Sequence, residues 1–146
     1  MPYDDDNVFA KILRGEAPCY KVYEDDQTLA FMDIMPQVDG HTLVVPKQAA
    51  ETIFELDDDA LAACMKTTRL IGLAVKDAFQ FDGVALAQLN GRAAGQTVPH
   101  VHFHVLPGSV MNILARPHGT RLEAPEKLEA FAGRIVSALE KYREGC

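Results

Sequence analysis

Residues 99–107 read PHVHFHVLP, and within this run imidazole alternates with hydrocarbon. His100, His102 and His104 fall on one parity, Val101, Phe103 and Val105 on the other. A period of two belongs to a β-strand, which turns successive side chains to opposite faces. Such a strand sets its hydrocarbon face in a core and its other face where three imidazoles have a use. It also needs partner strands, and the flanking sequence supplies them. KVYED and TLAFMDI are strand-like with EDDQ as the hairpin turn between them, TLVVP is a third strand ended by Pro46, and DGVALAQLN is a fourth. This fourth strand is separated from HVHFHVLP by the short loop GRAAGQTV, which makes the two antiparallel neighbours.

Helices complete the pattern. Residues 7–14, NVFAKILR, form a short helix with Asn7 as cap and Gly15 as stop. Between Glu55 and Phe79, apolar or small residues recur at helical spacing: Leu61, Cys64, Met65, Thr68, Ile71, Val75 and Phe79. The Asp57–Asp59 run opens this helix, where carboxylates cap N–H groups and suit the positive end of the dipole. Residues 107–119 form a loose segment with two Pro and two Gly, and PEKLEAFAGRIVSALEKY is a C-terminal helix with Pro125 in its first turn. Strands joined by short turns around one long helix predict an α+β fold with an antiparallel sheet. With no repeat and no linker, residues 1–146 are expected to form a single domain.

Charge and composition exclude some partners. The formal net charge is −7, which argues against nucleic acid and against anionic membrane surfaces. No apolar run approaches the roughly 20 residues of a membrane span. The acidic start MPYDDDN lacks the basic flank and apolar stretch of a signal peptide. Cys19, Cys64 and Cys146 are odd in number and scattered, as expected of free thiols in a reducing cytoplasm.

The histidine run admits three uses. It could bind a metal, since alternate positions lie ~6.6 Å apart and two imidazoles can converge on one ion. No carboxylate or cysteine lies close in sequence to complete that set. It could be a solvated strand face, although three imidazoles and no other polar type is an odd way to be soluble. The reading favoured here is nucleophilic or acid–base catalysis at phosphorus. Histidine titrates near neutrality, and one ring nitrogen attacks when the other holds the proton. His102, between His100 and His104, is the best-placed nucleophile. The loop NGRAAGQTV ahead of it offers Gly91 and Gly95, whose backbone N–H groups could cradle a phosphate in an acidic protein.

HVHFHVL resembles the H-φ-H-φ-H-φ-φ signature of the histidine triad (HIT) family of nucleotide hydrolases and transferases. The likeness extends through NGRAAGQTVPHVHFHVLP and back to KVYEDDQTLAFMDIMPQVDGHTLVVPK, most of the chain. It implies the HIT fold: a five-stranded antiparallel sheet with a long central helix and a C-terminal helix, joined to a second subunit in a homodimer. AFMDIMPQ is similar to the nucleoside-binding strand of the Hint (phosphoramidase-like) branch. By that resemblance Asp33 binds the ribose hydroxyls and Phe31 and Ile34 contact the base. Asn90, Gly95, Gln96 and Thr97 surround the α-phosphate. His102 forms a covalent nucleotidyl intermediate, His104 contacts the phosphate and moves protons, His100 orients His102, and His41 in GHTLVVP supports the triad.

The implied activity is hydrolysis or transfer of purine nucleoside 5′-phosphoramidates. The alternatives are a dinucleoside polyphosphate hydrolase of the Fhit type and a nucleotide-binding scaffold with vestigial catalysis. Two departures stand out. Many bacterial relatives carry a structural zinc held by C-x-x-C and a later histidine; Asn7, Ala10 and Ala49 stand at those places here, so no metal and no cofactor is expected. Hint-type chains usually end soon after the triad, whereas this one runs on to Cys146, with Arg116 and His118 as residues that could reach the site or simply face solvent.

Overall fold

The structure, a computed structural model, describes residues 2–115 and 121–143. Arg116, His118 and Cys146 lie outside the described residues. The strands are β1 (Lys21–Glu24), β2 (Thr28–Met32), β3 (Thr42–Pro46), β4 (Val84–Gln88) and β5 (Phe103–Pro107). They form one antiparallel sheet in the order β1-β2-β3-β5-β4. The helices are α1 (Val8–Leu13), α2 (Asp58–Phe79), α3 (Val110–Leu114) and α4 (Pro125–Arg143). None of the described helices is long and apolar enough to cross a membrane.

Both faces of the sheet centre are covered, which is why all five residues of β2, of β3 and of β5 are buried. On one face Ala30, Met32, Val44, Phe103 and Val105 meet Cys64, Ile71 and Val75 of α2 and Leu128, Ile135 and Leu139 of α4. On the other, Leu29, Phe31, Leu43 and Val45 pack with Phe9 of α1 in a smaller cluster that leaves space beside it. The site occupies that space.

Local chemistry explains the ends of the elements. Asp57 caps α2, its carboxylate accepting from Ala60 N–H at 2.8 Å, with Asp58 and Asp59 in the first turn. Asn7 caps α1 through Ala10 N–H at 2.9 Å, and Gly15 follows at φ 78°. Met65 is the exception to the helical stripe of α2: it is 45% exposed.

Two expectations need correction. The histidine strand was expected from His100, yet β5 begins at Phe103: β4 ends at its partner Gln88, and β3, although it continues to Pro46 alongside β2, pairs with β5 only as far as Val44. His100–His102 continue past the ladder, and Val101 N–H bonds instead to Ala50 C=O at 2.9 Å. Within the segment expected to be loose, α3 forms, its start marked by Ser109, whose hydroxyl accepts from Met111 N–H.

Candidate active site

His104 is the one triad residue inside the ladder, pairing with Leu43 on β3 and Ala87 on β4. Its register fixes its ring on the face opposite Phe103 and Val105, toward α1. His102 lies two residues earlier on the same side, with ring centroids 4.9 Å apart. Phe9 of α1 closes over His102 edge-on at 5.0 Å. These histidines form one wall of a cavity of about 390 Å³, roofed by Val8, Phe9 and Ile12 and floored by Phe31 and Leu43. Asp33, Ile34 and Thr97 stand on its rim side by side with this apolar lining. The shape suits a planar, largely apolar group with a polar end at the histidines.

Backbone groups, whose donor and acceptor identities are invariable, determine where the ring protons lie. His102 Nδ1 is 2.7 Å from His100 C=O, an acceptor only, so Nδ1 carries the proton and the neutral ring has its lone pair on Nε2. Gln37 N–H donates to His41 Nδ1 at 3.1 Å, so the His41 proton is on Nε2. That N–H points at His104 Nδ1, 2.9 Å away, which places the His104 proton on Nε2. Asp33 Oδ2 lies 3.4 Å from the same His41 nitrogen, while Asp33 Oδ1 accepts from Met35 N–H at 2.8 Å. The outcome is an acceptor nitrogen on His102 and a donor nitrogen on His104, side by side.

His100 plays a different part. Its ring is fully buried, with Nε2–H donating to Pro46 C=O at 2.9 Å and Nδ1 2.6 Å from Tyr3 Oη. Burial pushes its pKa down to about 4, against a smaller opposing effect of the Pro46 carbonyl and with His102 adding to the depression. It is therefore neutral at physiological pH and does not line the cavity.

The loop residues divide. Thr97 lines the cavity, whereas Asn90, Gly95 and Gln96 do not. Asn90 Oδ1 accepts from Ile53 N–H at 2.9 Å, and its amide donates to Gln88 at 2.6 Å. Gln96 is 5% exposed; its oxygen accepts from Gly91 N–H at 2.7 Å, and its nitrogen donates to Glu51 and Val98 carbonyls at 2.7 and 2.9 Å. These side chains shape the loop and tie it to residues 51–53. Gly91, at φ 94° and ψ 152°, makes the turn that no side chain tolerates.

Asp33, His41 and His104 form the only group among the described residues in which three possible metal-ligand atoms lie within 4.8 Å of one another. The two imidazole nitrogens are 2.9 Å apart, a proton-sharing distance, shorter than the ~3.3 Å separating two nitrogens on a tetrahedral zinc. Asn7 and Ala10 serve the helix start, Asn7 as the cap and Ala10 as the residue whose N–H it accepts.

Comparison with known proteins fits this geometry. The profile of the HIT domain matches residues 14–111. The chain belongs to the HIT family. Among its relatives, adenylylsulfatase HINT3 of Arabidopsis thaliana is 36% identical over 138 residues, 94% of this chain and 70% of that protein. Adenosine 5′-monophosphoramidase hnt1 of Schizosaccharomyces pombe is 39% identical over 100 residues, 68% of this chain and 72% of that one. A crystal structure of a Hit-like protein involved in cell-cycle regulation from Bartonella henselae superposes with a TM-score of 0.87 at 42% identity, covering 94% of this chain and 99% of that one. The long segment after the triad is thus shared with other HIT proteins rather than being an extension peculiar to this sequence.

Sequence reasoning missed the roof. Val8, Phe9 and Ile12 recur at i, i+1 and i+4 on α1, a stripe that signals one buried helix face without saying what it faces. Cys19, half-buried on the cavity wall, was read only as a thiol; burial raises its pKa. Tyr3, the partner of His100, carried no signal in the sequence.

Proposed function

We propose that this HIT protein cleaves nucleoside 5′-monophosphate derivatives, with a purine phosphoramidate as the preferred substrate class, through a covalent intermediate on His102. One observation carries the reading: the His102–His100 carbonyl bond leaves the lone pair of a neutral imidazole on Nε2, beside a cavity that accommodates a nucleoside. The base lies against Phe31 and Ile34, and Asp33 accepts from the ribose hydroxyls. His102 Nε2 attacks phosphorus, and the phosphorus–nitrogen bond breaks as the leaving nitrogen, hydrogen-bonded by His104 Nε2–H, takes a proton from solvent and departs as the amine. Water then attacks the nucleotidyl-histidine beside His104, returning a proton to solvent and releasing the nucleoside monophosphate with His102 restored. Thr97 and loop N–H groups meet the non-bridging oxygens, where negative charge develops.

The names of two relatives support this direction, one a phosphoramidase and one an adenylylsulfatase, both acting on adenosine 5′-phosphate derivatives by name. The chain is further proposed to work as a homodimer. β4 is an edge strand with Leu86 53% exposed, and Phe54 (81%) and Met65 (45%) are further large apolar side chains open to solvent.

The test is side-by-side turnover of adenosine 5′-phosphoramidate, adenylyl sulfate and diadenosine polyphosphate, with His102→Ala as control. Preference for the phosphoramidate, with loss of at least about 10³-fold in the variant and unchanged AMP binding, is expected. Preference for the dinucleotide would assign the Fhit-type activity instead. Substantial residual turnover in the variant would remove His102 as nucleophile.

A further inference from the structure

The N-terminal arm touches the triad through His100, and neither Tyr3 nor His100 lines the cavity. Asn7 is buried, and the direction of each of its hydrogen bonds is determined. Its oxygen faces Ala10 N–H, which can only donate, so its nitrogen is the atom 2.9 Å from Tyr3 Oη. That nitrogen can only donate, so the phenol oxygen accepts there and sends its own proton to His100 Nδ1 at 2.6 Å. His100 then holds its proton on Nε2, as the Pro46 carbonyl independently requires. Every proton along Ala10, Asn7, Tyr3, His100 and Pro46 is thereby placed, with backbone groups at both ends.

We infer that Tyr3 and Asn7 are positioning residues for the triad, fixing the His100 ring so that its backbone carbonyl presents itself to His102 Nδ1 and holds the nucleophilic nitrogen in line. The inference rests on His102 being the nucleophile. His100 lies outside the sheet ladder, so no ladder bond holds its backbone; its ring is tied to Pro46 C=O at the end of β3 on one side and to Tyr3 on the other, and Val101 N–H bonds to Ala50 C=O. The ring of Tyr3 also packs edge-on against His100 at 5.7 Å, and Phe9, two residues beyond Asn7, packs on His102. One short stretch of chain thus grips both histidines. Burial raises the Tyr3 phenol pKa above its ordinary value, which keeps the donor protonated throughout the working range.

Two variants isolate the effect. Tyr3→Phe keeps the ring and removes the donor. Asn7→Asp keeps the helix cap, because a carboxylate still accepts from Ala10 N–H, but its second oxygen accepts the phenol proton and draws it away from His100. In the full-length protein both are expected to lower kcat for adenosine 5′-phosphoramidate about tenfold, with KM and AMP affinity near wild type. The melting temperature stays near wild type in Tyr3→Phe and falls in Asn7→Asp, which also loses the 2.7 Å bond from the Asn7 amide to Asp4 C=O. The losses should not add in the double variant, because both break one chain. Nitrogen NMR of the His100 ring gives a readout independent of turnover: the Pro46 carbonyl keeps the proton on Nε2 in all proteins, while the Nδ1 resonance of wild type, shifted by the Tyr3 donor, moves to that of an acceptor without this hydrogen bond in either variant. Wild-type kcat in Tyr3→Phe, an unchanged His100 Nδ1 resonance, or a kcat loss in Tyr3→Phe matched by equal loss of AMP affinity or fold would overturn the inference. If instead His102→Ala stays active, the functional reading fails, and the Nδ1 resonance still decides whether Tyr3 controls His100.

Discussion

Acid should destabilise this protein through one identifiable base. His100 is fully buried, with both ring nitrogens committed to partners that suit only the neutral ring: Pro46 C=O takes the Nε2 proton, and the Tyr3 phenol donates to Nδ1. Its pKa falls from about 6.5 in the unfolded chain to about 4 in the folded one. The unfolded state therefore binds more protons than the native state between these values. The stability that neutral His100 contributes is fully present above about pH 6.5 and is lost as pH falls through about 4. At about 1.4 kcal/mol per pH unit, the loss is about 3 kcal/mol. Carboxylates titrate in the same range, so the measurement is a difference. In His100→Gln the side-chain amide donates to Pro46 and its oxygen accepts from Tyr3, reproducing the neutral ring without a titrating group. Urea unfolding of both proteins from pH 7.5 to 4 should show the gap between them shifting by about 3 kcal/mol in the variant's favour. A constant gap, or a native-state His100 Cε1–H resonance titrating near 6.5, would refute the reasoning.

Two other perturbations follow from the same geometry. Gln96→Glu preserves the acceptor for Gly91 but sets carboxylate oxygens against the Glu51 and Val98 carbonyls; a loss of about 3 kcal/mol or more in denaturant unfolding at pH 7 is expected, and a midpoint equal to wild type would show that the loop is not held this way. Gly40→Ala places a Cβ 2.9 Å from Phe79 Cε2 and 3.1 Å from Pro107 at φ 88°; thermal melting should report a loss of about 1–3 kcal/mol, and an unchanged melting temperature would show that this turn relaxes without cost.

What could be read from the sequence is what has a local cause. The five strands and the long helix follow from periods of 2 and 3.6, and the start of α2 follows from the Asp57 carboxylate, a feature complete within four residues. His100, His102 and His104 stood out because imidazole is rare and their alternation is strict, whereas His41 stood out only through the family resemblance of GHTLVVP. The ladder's end was not legible, since it depends on where pairing with two other strands ends: the last partners of Phe103, Gln88 and Val44, are 15 and 59 residues from it.

The same distinction separates the loop residues. A glycine-bearing loop before a histidine strand suggests a phosphate cradle, and Asn90 and Gln96 look like its polar lining. In the structure their side chains bond to residues 37 and 45 positions away, because an amide packed into a loop must satisfy both its ends and the backbone of residues 51–53 lies within reach. Tyr3 is the extreme case. Its partner is 97 positions distant, and nothing in MPYDDDN marks a phenol that will reach a histidine. A sequence pattern names the residues able to do chemistry; which nitrogen of each ring holds the proton depends on carbonyls and N–H groups that only the folded chain brings within 3 Å.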